Sequence, residues 1–168
     1  MSRSATRRDR NAQPRRRSRS GERYAVTPSR PRRQTDGMIG RLHHVVIDSP
    51  TPRALAGFYS ELLGLPVTFE SSDWVVISRD TTSSGIAFQR APDLVPPLWP
   101  EPGRPQQIHL DVMVDDVEAA DERVRALGCR RLDDDDATRR VYADPSGHPF
   151  CLVPRPGWSP PIAGEQRG

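Results

Sequence analysis

HHVVIDSPTPRALAGFYSELLGLPV, residues 43–67, decides the fold because its period changes partway along. Val45, Val46 and Ile47 form a β-branched run, which predicts a strand over 41–48. Thr51 and Pro52 then read as a helix start, with a hydroxyl at the N-cap and proline in the first helical position. Leu55, Phe58, Tyr59, Leu62 and Leu63 fall on one helical stripe, and Gly64 ends it. Three strand candidates follow near 66–71, 74–79 and 85–90, parted by the turn-forming SSD and RDTTSSG.

The same order returns after residues 91–105, which hold Pro92, Pro96, Pro97, Pro100, Pro102 and Pro105 and read as a linker without regular structure. Ile108, Leu110, Val112 and Val114 alternate with Gln107, His109, Asp111 and Met113, a strand with one apolar and one polar face. Asp115 or Asp116 caps a helix with the stripe Val117, Ala120, Val124 and Leu127, ended by Gly128. Strands near 129–133, 138–143 and 149–153 complete the set, the last two joined by the turn DPSG at 144–147. The class is therefore α+β, with the order β-α-β-β-β twice, over about 41–90 and 107–153. His44 precedes Gly64 by twenty residues and His109 precedes Gly128 by nineteen, so the two histidines hold equivalent places. Modules paired about a pseudo-twofold axis would turn both first strands toward one cleft.

The charge divides along the chain. Residues 1–37 carry twelve Arg and three acids, a net of +9, and the remainder carries −6. The first 37 residues have almost no apolar content, which predicts a disordered basic arm. Such an arm would touch nucleic acid through phosphates alone; it is otherwise without specific role, or an over-extended gene start, since Met38 opens a natural domain beginning. Because the folded part is acidic, nucleic acid is not expected as a partner of the domain. We expect the domain to span 38–156, with a flexible tail at 157–168. No apolar run reaches membrane-spanning length, no signal peptide is evident, and Cys129 and Cys151 make no CxxC. These features predict a cytoplasmic protein with free thiols.

HHVVIDSPTPRALAGFYSELLGLPV and DPSGHPFCLV together resemble the vicinal oxygen chelate superfamily, in particular its bacterial glyoxalase-like domains. The resemblance covers about residues 38–156 and implies two βαβββ modules whose sheets form an open, barrel-like cleft. In the superfamily's metalloenzymes that cleft holds a divalent ion on residues of the first and last strands, for glyoxalase, dioxygenase or epimerase chemistry. Other members are metal-free and sequester drugs of the bleomycin type. Carried over, the first-strand ligands fall on His44 and His109. The last-strand carboxylates fall on Ala87 and Cys151, so both are missing, and Gln89 lies two residues on from Ala87 on the same face.

The candidate metal set is thus His44, His109, Cys151 and Gln89, with Zn, Fe, Mn or Ni as the ion. A thiolate in place of a carboxylate favours Zn²⁺ or another soft ion. Asp111 and Glu70 are candidate replacements for the family's catalytic glutamate base. His43 is expected to pack toward the helix and His148 to face solvent. Cys151 is equally readable as a small buried hydrophobe. Two functions follow from the resemblance: a metal-dependent lyase, isomerase or dioxygenase acting on a small organic molecule, or a metal-free binding or resistance protein. A homodimer is compatible with either.

Overall fold

A computed structural model describes residues 39–133 and 139–162, so the basic arm and most of the DDDD run lie outside the described residues. The first module comprises β1 (His44–Ser49), α1 (Pro52–Leu63), β2 (Val67–Glu70), β3 (Trp74–Ser78) and β4 (Gly85–Arg90). The second comprises β5 (Leu110–Val114), α2 (Val117–Ala126), β6 (Arg130–Arg131), β7 (Arg140–Ala143) and β8 (Pro149–Pro154). Each module forms a four-stranded mixed sheet, ordered β1-β4-β3-β2 and β5-β8-β7-β6. First and last strands pair in parallel: His44 lies opposite Gly85, and Asp111 opposite Cys151. This is the predicted pair of βαβββ units. Among the described residues no helix is long and apolar enough to cross a membrane.

The helices form where the stripes and caps predicted them, with one change of partner. Pro52 opens α1, but the Thr51 hydroxyl caps nothing; instead Ser49 Oγ accepts a hydrogen bond from the Thr51 amide at 3.0 Å. Gly64 closes α1 at φ 65°, where a side chain would be strained. At α2, Asp116 Oδ1 accepts from the amides of Glu118 and Ala119, satisfying two otherwise orphaned donors.

One apolar core joins the modules. Leu55, Phe58 and Tyr59 of α1 pack against Ile77 and Phe88 of their own sheet and reach Phe150 of β8. Phe58 and Phe150 rings lie 5.7 Å apart edge to face, and Tyr142 stacks on Phe150 at 5.3 Å. Polar pairs hold the same seam. Tyr59 donates to Asp144 Oδ2 at 3.0 Å, and the hydroxyls of Ser49 and Ser146 bond at 2.8 Å. Asp144 also accepts from the amides of Ser146 and His148, so its buried carboxylate has three donors.

Candidate functional site

Alternation along a strand puts His109 and Asp111 on one face of the second sheet, and the β5–β8 register sets Cys151 opposite Asp111. One ligand atom from each of these three residues lies within 4.8 Å of the other two. His109 Nε2 is 3.4 Å from Asp111 Oδ1. Cys151 is buried, and its thiol is pushed up to about 11 by that burial first and by the charge of Asp111 second. Imidazole, carboxylate and thiolate are all zinc ligands, and three of them leave a fourth position open. The residues present therefore fit a divalent ion. Asp111 on β5 offers a carboxylate on the face where β8 carries Cys151 instead.

His44 stands on the equivalent face of the first sheet. It is half-buried, its ring 3.9 Å from that of His43, and its pKa is lowered by burial and then by the neighbouring His43. Among the described residues it belongs to no cluster with His109, Asp111 and Cys151. His43, expected to pack toward α1, is exposed, because β1 begins one residue later and leaves it at the open end of the sheet.

Beside the cluster lies a cavity of about 740 Å³ between the modules. Val45 and Ile47 of β1 form one wall, Leu110 and Pro149 another, and Leu94, Val95 and Pro97 of the linker a third. Gln89, Gln107, His109 and His148 place polar groups on it. His109 thus belongs both to the three-donor cluster and to the cavity wall. Two expectations change here. His148, expected to face solvent, is half-buried and lines the cavity, with Nε2 2.7 Å from the carbonyl oxygen of Asp48. The proline-rich linker is a wall as well as a connection, seated by Pro96 against Gly147. Neither was marked in the sequence, since the packing of one module on the other's turn leaves no local period.

A parallel pairing of first and last strands in each of two βαβββ modules, with donor side chains on the strand faces, defines the vicinal oxygen chelate fold. The chain belongs to the glyoxalase-like domain family, whose sequence profile matches residues 44–153. No curated protein matches it. Among solved structures it is similar to a genomically encoded fosfomycin resistance protein of Listeria monocytogenes, at 15% identity and TM-score 0.54, over 71% of this chain and 96% of that one. A glyoxalase/bleomycin resistance/dioxygenase family enzyme of Burkholderia phytofirmans PsJN matches at 20% identity and TM-score 0.52, over 68% and 98%. A glyoxalase-related enzyme of Fulvimarina pelagi matches at 22% and 0.51, over 74% and 96%. At these identities the likeness is one of fold. The superfamily's members are metal-dependent enzymes or resistance proteins, and they commonly bind divalent metals.

Proposed function

We propose that the chain binds a small organic molecule in the intermodule cavity beside a divalent ion held by His109, Asp111 and Cys151, as a lyase, isomerase or dioxygenase of the glyoxalase type. One observation carries this reading: three unlike donor groups converge on one strand face, and one of them also lines the cavity. When bound, the ion supplies Lewis-acid polarisation of the ligand's oxygens. The chain's own residues do the rest. Val45, Ile47 and Leu110 exclude water around the ligand body, and Gln89 and Gln107 offer amides that orient it. The thiolate favours Zn²⁺, and loading must displace the Cys151 proton.

His44 enters this set only in a homodimer, where the first-module face of one copy meets the second-module face of another. The row Val46, Ala87, Val76 and Phe69 crosses that first face, and Val46 and Phe69 are 46% and 55% exposed, which supports a covered face.

The test is metal content by plasma mass spectrometry on the full chain, reconstituted with Zn²⁺, Fe²⁺, Mn²⁺ or Ni²⁺. Near-stoichiometric metal, lost in Asp111→Ala and Cys151→Ala, supports the reading; no metal in the wild type with any of the four ions sinks it. A second reading, metal-free sequestration of a small molecule, is favoured by the buried, protonated Cys151 thiol. Ligand binding indifferent to chelator, without turnover, would support it.

A further inference from the structure

We infer that the cavity takes an apolar organic anion whose acid group is held by Arg104 of the intermodule linker. This rests on the reading that the cavity binds a small molecule, and adds the chemical class of that molecule. At about 740 Å³ the cavity has the size and apolar walls of a small-molecule site. The polar groups on those walls are few, and Arg104 and Asp48 are the charged side chains among them besides the two histidines.

Arg53, Arg90, Arg140 and Arg155 each pair with a carboxylate. Among the described residues Arg104, like Arg41, Arg79, Arg123 and Arg130, makes no ion pair, and of these five it alone lines the cavity. It is the one arginine on the cavity lining, where Asp48 is the one acidic residue. One hydrogen bond ties its backbone into the linker. The Leu98 amide donates to the Arg104 carbonyl at 2.8 Å, closing the linker into a loop. Pro96 rests on Gly147, where an added Cβ would lie 2.5 Å from the Pro96 Cβ. Arg104 is an exposed residue of the cavity lining, and its free guanidinium fork matches a planar oxyanion on an apolar body, because it can donate two parallel hydrogen bonds to it. His148 adds no competing demand on such a ligand, since its Nε2 is already engaged by the Asp48 carbonyl.

The experiment is isothermal titration calorimetry of the full chain with naphthalene-1-carboxylate and with the neutral naphthalene-1-methanol, at matched ionic strength. Amide chemical shifts at Ile47 and Leu110 locate the binding. The acid should bind more tightly than the alcohol. Arg104→Gln should weaken the acid about tenfold, equivalent to about 1.4 kcal/mol, and leave the alcohol unchanged. Arg104→Lys should recover part of the loss. If acid and alcohol bind equally and Arg104→Gln changes neither, the assignment of an anion falls while cavity binding stands. If neither probe binds, and Ile47 and Leu110 do not shift, the cavity reading falls and this inference with it.

Discussion

The two modules share one fold and differ in what their equivalent strand faces carry. Through the parallel registers, His44, Val46 and Ala87 in the first module correspond to His109, Asp111 and Cys151 in the second. Both faces have the histidine; the second alone has a carboxylate and a thiol around it. Repetition of the fold therefore fixes where a side chain points, while two substitutions decide whether that place can hold an ion.

The largest test of this comparison is to transplant the difference. Val46→Asp with Ala87→Cys should give the first module its own His–Asp–Cys face and, if the proposed site of the second module binds Zn²⁺, raise bound Zn²⁺ by up to one ion per chain. Plasma mass spectrometry with equilibrium dialysis reads the stoichiometry. An unchanged single site would mean that register equivalence alone does not bring the donor atoms together. A smaller but still large effect concerns Gly85, which lies opposite His44 where the second module places Pro149 near His109. A Cβ at Gly85 would lie 2.1 Å from the Ile77 carbonyl oxygen, a backbone atom in a paired strand that has little room to move. Gly85→Ala should cost about 2–3 kcal/mol as an overpacking change, measured by urea unfolding.

These registers also explain what was readable in advance. Element order and type were legible because apolar period, Pro52, Gly64 and Asp116 act within a few residues. The faces of His109 and Cys151 were legible by strand alternation. The partnership of Asp111 was only half legible: its face followed from alternation, but its position opposite Cys151 is a pairing across some forty residues of chain. The separation of His44 from the cluster was not legible at all. Equivalent places in a repeat say which face a residue shares with its counterpart, and nothing about the distance between the two faces. His148 and the linker escaped for the same reason, since contacts such as Pro96 on Gly147 are made by the docking of distant segments.

Two tyrosines extend the comparison to the seam. Tyr59 donates to Asp144 at 3.0 Å across the modules, and Tyr142 donates to Asp121 at 2.5 Å within the second. Asp121 also has Arg125 at 3.5 Å and Arg140 at 3.7 Å, so it keeps charged partners if the hydroxyl is removed. Asp144 keeps two backbone amides and is buried. Tyr59→Phe should therefore cost about 1–3 kcal/mol, with Tyr142→Phe at the lower end of that range, both read from urea midpoints. A larger loss at Tyr142 would place the weak point inside the second module, away from the seam.

The last test is the pH dependence of the thiols, which only the second module has. Burial pushes Cys129 and Cys151 up to about 11 from an ordinary 9.0. A folded pKa above the unfolded one means that the unfolded chain loses its proton first as pH rises. The stabilisation is thus complete below about pH 9 and is lost between 9 and 11, where the unfolded state binds fewer protons. Cys151→Ser should flatten that decline, leaving the share of Cys129. Saturating Zn²⁺ should flatten it in the wild type as well, because a coordinated thiolate has already given up its proton in the folded state. If Zn²⁺ leaves the wild-type decline untouched while Cys151→Ser flattens it, Cys151 is a buried thiol and not a ligand, and the second module's face is then no better equipped for an ion than the first.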